Sequence, residues 1–256
     1  MHTLEVLRTE RISPHMVRVV AGGDGFDGFA DNGFTDHYVK LVMPRPGVEY
    51  PEPFTPEAVQ EALPREQWPV FRTYTVRRHD PVARELWIDF VHHGDHGFAG
   101  PWAASARPGD PLRFRGPGGA YSPDPGAPWH LLAGDESALP AIANALEAMP
   151  VGASVVALVE VDGPEDELDL SCAGDLDLRW LHRDAGDPGF DAAVAGLAFS
   201  PGAPCVFAHG ELAQIRSLKA HLAGDRGLDP AAMSISGYWR RGKDEDGFQA
   251  EKREDP

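Results

Sequence analysis

The hydrophobic pattern changes period once along the chain, and that change constrains the fold more than any single residue does. Up to about residue 120, apolar and polar residues alternate in short runs: "LEVLRTERI", "MVRVVAGG", "HYVKLVMP", "RTYTVRR", "ELWIDFVHHG" and "DPLRFRGPGG". Alternation puts successive side chains on opposite strand faces, and Gly/Pro turns at regular spacing predict an antiparallel barrel or sandwich. The segment "RPGVEYPEPFTPEAVQEALPREQWPV" interrupts the series, and its prolines make it a loop with at most a short helix. From residue 129 the runs become longer and more uniformly apolar. "WHLLAG" reads as a short buried strand, "SVVALVEV" as one buried on both faces, "LRWLH" and "PCVFAHG" as further strands, and "DESALPAIANALEAMP" and "ELAQIRSLKAHLAG" carry helical spacing. That alternation predicts an α/β domain with a mostly parallel sheet.

The fold expectation is therefore a two-domain β + α/β protein. An antiparallel β-barrel domain occupies 1–120, an α/β domain 121–242 and a charged tail 243–256. The boundary falls in the Pro/Gly-rich "GPGGAYSPDPGAPW".

Composition removes several function classes. A net charge of −17, from 23 basic and 40 acidic residues, argues against nucleic-acid binding, which needs a basic footprint. Two cysteines, Cys172 and Cys205, build neither a disulfide framework nor a cysteine metal site. The N-terminus has no basic-then-apolar signal pattern and no run reaches membrane-spanning length, so the cytoplasm is the default compartment and a monomer the default state.

No GxxxxGK[ST] or GxSxG occurs. "HHGDHG" supplies His92, His93, Asp95 and His96, but the spacing fits no helical His-x-x-x-His site. It reads as a strand end turning into a ligand-facing loop, and no metal is expected. In "FRTYTVRR", alternation sets Arg72, Tyr74, Val76 and Arg78 on one face and Phe71, Thr73, Thr75 and Arg77 on the other. In "GFAGPWAASARPGD", Gly97 and Gly100 allow close backbone approach and Pro101 sits where a helix would begin, an arrangement suited to phosphate. "LLAGDESALPAI" repeats that logic at a sheet edge: the strand ends at Gly134 and Ser137 opens the helix.

Taken together, "RTYTVRR", "DFVHHGDHGFAGPWA", "ARPGD", "GPGG", "LLAGDESALPAI", "WLHR" and "SGYWRRG" resemble the siderophore-interacting protein family of flavin-dependent ferric-siderophore reductases. The resemblance runs from about residue 4 to residue 242. His209 in "FAHGELA" departs from it, standing where a small residue is expected. It implies a barrel that binds FAD, an α/β domain that binds NADPH or NADH, and a ferric siderophore as substrate, with a flavin reductase or electron-transfer component for another acceptor, or a non-catalytic siderophore- or flavin-binding module, as the alternatives. In that reading Arg72 pairs with the FAD pyrophosphate and Tyr74 packs on the isoalloxazine. Thr73 and Thr75 lie near the flavin's edge. Asp89, Val91 and His93 contact the ring or ribityl chain, and Gly100, Pro101, Trp102, Ala103 and Ser105 form the phosphate-holding turn and helix start. Asp135, Glu136 and Ser137 border the nicotinamide nucleotide, and Tyr238, Trp239 and Arg240 close over the cofactor. Trp102 and Trp239 also read as plain core aromatics, and Asp135 and Glu136 as helix N-terminal carboxylates. Arg183 either meets a 2′-phosphate or is a solvated loop charge. Arg77, Arg78, Arg113, Arg115, Arg240 and Arg241 are candidates for holding an anionic ferric chelate. The flavin carries the chemistry, so no catalytic side chain is assigned.

Overall fold

The computed structural model of the 256-residue chain describes residues 1–94 and 97–243. Asp95, His96 and nearly all of the expected charged tail lie outside the described residues. Six antiparallel strands close into a barrel in the order β1-β2-β5-β4-β3-β6: β1 (His2–Ser13), β2 (Met16–Gly22), β3 (Tyr38–Met43), β4 (Val70–Asp80), β5 (Glu85–Val91) and β6 (Pro111–Gly118). Closure removes both sheet edges, and the inward residues Leu4, Val19, Leu41, Val76, Ile88 and Phe114 form one buried core. The interrupting loop contains α1 (Pro56–Ala62), started by Pro56 and capped by Thr55, whose hydroxyl accepts from the Ala58 N–H at 3.2 Å. A second short helix, α2 (Ala99–Ser105), lies between β5 and β6.

The second domain is a five-stranded, wholly parallel sheet in the order β11-β10-β7-β8-β9. Its elements are β7 (His130–Asp135), α3 (Leu139–Glu147), β8 (Ser154–Val161), β9 (Asp175–His182), α4 (Phe190–Ala195), β10 (Cys205–Glu211), α5 (Leu212–Gly224) and β11 (Met233–Trp239). Strand order reverses between β7 and β10, so their carboxyl ends mark the crevice where α/β domains take ligands. Cys172 and Cys205 are both free.

Two local expectations need correcting. The β4–β5 ladder pairs Val76 with Ile88 and then Arg78 with Trp87, which makes Arg77 an extra, bulged residue. The bulge turns Arg78 outward over Trp87, away from the barrel-facing Arg72, Tyr74 and Val76. Ser137 does not open a helix either. Its N–H and hydroxyl both donate to Asp135 Oδ1, at 2.9 and 2.5 Å, and α3 begins at Leu139.

The domains are joined by specific polar contacts. The Asn144 amide on α3 donates to the carbonyls of Thr35 (3.1 Å) and Val76 (2.9 Å), and Arg77 bridges Asn144 and Glu147. On the other flank Ser13 donates to the buried Asp166 at 2.7 Å, and Met16 of β2 is buried in the second domain's core. Among the described residues no helix is long and apolar enough to cross a membrane.

Candidate functional site

The first half of the site lies where the β4–β5 ladder stops. Beyond Val76, β4 pairs only with β3, while β5 runs on to Val91 beside β2. The gap is filled by aromatic rings: Tyr74 sits 4.5 Å from Phe90, and Phe90 5.7 Å from Trp102 of α2. Arg72 is buried, its guanidinium 5.2 Å from the Phe98 ring, and Arg45 approaches the same ring at 5.7 Å. Two cations thus share one aromatic face at the start of α2, in a chain of net charge −17. Arg45 carried no motif signal, because only the long loop after β3 brings it to Phe98. Gly100 lets α2 sit against the end of β5, since a Cβ there would lie 2.7 Å from the Val91 carbonyl oxygen.

The remaining barrel candidates divide. Thr73 is exposed and Thr75 buried, on the outward face of β4. Asp89 is buried on the barrel's outer wall and takes both guanidinium donors of Arg18, at 2.7 and 2.8 Å. This pair, with Arg77 and the start of α3, lines an interdomain pocket of ≈ 180 Å³. Ala103 is sealed in the barrel core, Trp102 is half-buried against it, and Pro101 lies inside the first turn of α2. Ser105 is the last residue of α2, and its hydroxyl donates back to the Pro101 carbonyl at 2.9 Å.

The second half is the carboxyl edge of the parallel sheet. Asp135 ends β7, and its Oδ2 accepts from the Glu211 N–H at 2.9 Å and from Trp239 Nε1 at 2.7 Å. Burial, and then the neighbouring Glu136, push its pKa up to about 6 against the pull of those donors and of Ser137. Gly210, at φ +152°, makes room for this carboxylate: a Cβ there would lie 2.7 Å from Asp135 Oδ2. Glu211 caps α5, accepting from the N–H of Ala213. Trp239 is thus tied to the sheet edge by a hydrogen bond, a role distinct from plain core packing. His209 is buried between the Phe207 and Tyr238 rings, with Nε2 3.0 Å from Ser234 Oγ, so it fills a slot between β10 and β11. Burial raises the Tyr238 hydroxyl's pKa well above the usual phenol range. Arg240 follows β11, and Arg241 donates its N–H to Glu211 at 3.2 Å.

Arg183 is neither solvated nor positioned as a lone cation. It donates Nε to Glu160 at 2.6 Å and Nη1 to Asp162 at 2.7 Å, and it forms a two-pronged pair with Glu136. Three carboxylates around one guanidinium keep its pKa raised despite the opposing cost of burial. The two halves meet here, because His93 Nε2 on the barrel loop lies 3.6 Å from Glu136. His15, in the β1–β2 turn, sits beside both. Nothing in "SPHM" signalled that position, which arises from the docking of the two domains.

Comparison with known proteins gives this geometry a family. Residues 5–121 match the siderophore-interacting FAD-binding domain, and residues 127–242 match the siderophore-interacting protein domain. The chain belongs to the siderophore-interacting protein family. An uncharacterised protein of Mycobacterium tuberculosis is 47% identical over 99% of this chain and 95% of its own length. The ferric vibriobactin reductase ViuB of Vibrio cholerae is 33% identical, covering 97% of this chain and 93% of that protein. The NADPH-dependent ferric-chelate reductase of Escherichia coli is also 33% identical, over 92% and 91%. The crystal structure of the siderophore-interacting protein SipS from Aeromonas hydrophila superposes with a TM-score of 0.82 at 28% identity, over 98% and 96% of the two chains. The first domain is thus the family's siderophore-interacting FAD-binding domain.

Proposed function

We propose that the protein reduces ferric siderophores, using FAD and electrons from NADPH, with NADH as the alternative donor. The observation that carries the reading is the convergence of Arg72 and Arg45 on Phe98, next to Tyr74, at the end of the β4–β5 ladder. The named reductase relatives, one of them NADPH-dependent, support it. Bound FAD would supply the conversion of a two-electron hydride donor into single-electron transfer to Fe(III).

The chain's own residues have binding work to do. Arg72, with Arg45, would hold the pyrophosphate, and Gly100, Pro101 and Trp102 would shape the turn that approaches it. Tyr74 would pack on the ring system, with Thr73, Thr75, Val91 and His93 along its border. Asp89 would act through Arg18, keeping the wall behind the cofactor rigid. Asp135 holds Trp239 in place, so the C-terminal segment Tyr238–Arg240 would shield the nicotinamide from water. Glu136 and Ser137 border the same edge. The division at residue 120/121 belongs to this reading, with the cofactor domain before it and the nicotinamide domain after.

Of the arginines considered for the chelate, Arg77 and Arg78 are engaged by Glu147 and Asp80. Arg113, with Glu52 3.9 Å away, and Arg115, two apart on β6, stand on the barrel's outer wall over Phe54 and Phe71 and would offer an anionic-chelate surface. Fe(III) is held tightly by hard oxygen donors, and its reduction loosens them.

The test is spectroscopic. FAD-loaded protein is mixed anaerobically with NADPH or NADH and then with a ferric catecholate. Bleaching followed by return of the flavin bands is expected. Protein that cannot be loaded with FAD would overturn the reading.

A further inference from the structure

We propose that His15, His93 and Asp162 form a binding site for a divalent first-row metal ion, and that it receives the ferrous ion produced by reduction. The second clause rests on the reductase reading above.

The three residues come from separate segments: the β1–β2 turn, the loop after β5 and the residue following β8. One ligand atom from each lies within 4.8 Å of the others. Ligands bound at about 2.0–2.2 Å spread over about 3–4 Å around a metal, so small side-chain rotations bring all three into one sphere.

Independent contacts already orient two of them. His15 Nδ1 donates to Asp166 Oδ2 at 2.7 Å, which leaves Nε2 as the lone-pair nitrogen, 3.6 Å from Asp162 Oδ2. Asp166 is itself buried and fixed by the Ser13 hydroxyl at 2.7 Å and the His15 N–H at 3.0 Å. A carboxylate that sets the tautomer of an imidazole from behind is the usual support of a metal-bound histidine. Asp162 is oriented in the same way: Oδ1 accepts from Arg183 at 2.7 Å, leaving Oδ2 to face His15. Glu136, 3.6 Å from His93 Nε2, brings a second carboxylate to the rim beside Asp162.

Charge and exposure agree. Glu136, Glu160, Asp162 and Asp166 surround the single Arg183 and His15, a balance that attracts cations. His15, His93 and Asp162 are 34%, 52% and 38% exposed, so coordination positions stay open to water or to a departing ligand. Two imidazoles and a carboxylate suit Fe(II) and its neighbours, whereas the oxygen donors of a siderophore favour Fe(III). Reduction would therefore move the ion's preference toward this cluster, which lies where the barrel meets the sheet edge.

The test uses the FAD-loaded, oxidised protein under nitrogen, titrated with Co(II) alone and followed by its visible ligand-field bands. Saturation at equimolar metal is expected, with competition by Fe(II). Asp166→Asn should weaken binding about 10- to 100-fold, as loss of such a support does elsewhere. His15→Gln should abolish the bands while leaving the circular dichroism and the rate of flavin bleaching by NADPH unchanged. Absence of a saturable band, or a band that His15→Gln does not alter, would overturn the site and leave the reductase reading untouched. For the receiving role, protein that has turned over a ferric catecholate is passed through an anaerobic desalting column. Wild type should retain Fe(II) and His15→Gln should not, and equal retention would overturn that role. Flavin that never turns over would remove the reductase reading while the cobalt result still decides the metal site.

Discussion

The barrel seam and the sheet edge are both candidate nucleotide surfaces, and they gather opposite charges. At the seam the chain gathers cations, Arg72 and Arg45, over an aromatic face, and aims them at the start of a short helix. At the sheet edge it gathers carboxylates and answers them from within: Asp135 with Trp239 and backbone N–H groups, Glu136 with Arg183. In the proposed reading the first surface takes an anionic guest, the pyrophosphate of FAD. The second is self-satisfied, so a dinucleotide arriving there must compete with the protein's own contacts and would bind more loosely. The proposed pairing of a resident flavin with an exchangeable electron donor calls for such a difference.

The largest expected effect tests the self-satisfied side. Arg183→Ala leaves Glu136 and Glu160 buried without their cation and should destabilise the protein by about 3 kcal/mol, read from urea midpoints. Adding Glu136→Gln should recover part of the loss, and strict additivity of the two changes would break the picture of one coupled cluster. Next, Arg72→Ala should weaken FAD binding about 10- to 100-fold, as expected for a charge-assisted contact of about 1.5–3 kcal/mol, while NADPH affinity changes little. Equal losses for both ligands would erase the contrast between the two surfaces.

Trp239→Phe should cost about 1 kcal/mol and raise the Asp135 pKa above its present value of about 6, because a donor to the ionised form is lost. A pH titration of stability detects this. A carboxylate with a raised folded pKa gives up stability as pH climbs from about 4 to about 6, so the decline should extend to higher pH in the variant. The smallest effect concerns the link between the domains. The hydrogen bond to Asp166, working against burial, raises the His15 pKa above 6.5. Its contribution is present at pH 6 and fades as pH rises through the folded pKa, so the midpoint should fall between pH 6 and pH 8. In chelator-treated buffer His15→Gln should flatten that slope, and an unchanged slope would place the pH response elsewhere.

Much of this organisation is visible in the chain itself. Period-two runs before residue 120 became the closed barrel, one of the two architectures that pattern allows, and long apolar runs after 129 became a parallel sheet. Arg72 and Tyr74 were legible since both lie on one strand before the bulge. Arg78 was misplaced because a single bulged residue reverses facing without leaving a mark in the sequence. Ser137 was misread because a serine before a helix looks alike whether it caps the helix or bonds a neighbouring carboxylate.

The sequence by itself determined the two-domain order, the strand and helix periods and the motifs that mark the family, because these depend on near neighbours along the chain. Only the tertiary structure decided that Arg45 shares Phe98 with Arg72, that Arg183 is enclosed by three carboxylates, and that His15 faces Asp162 across the domain junction. Those partners lie tens of residues apart, and their pairing depends on where barrel closure and domain docking place each backbone. Charges so brought together decide what a site attracts, and no local pattern records it.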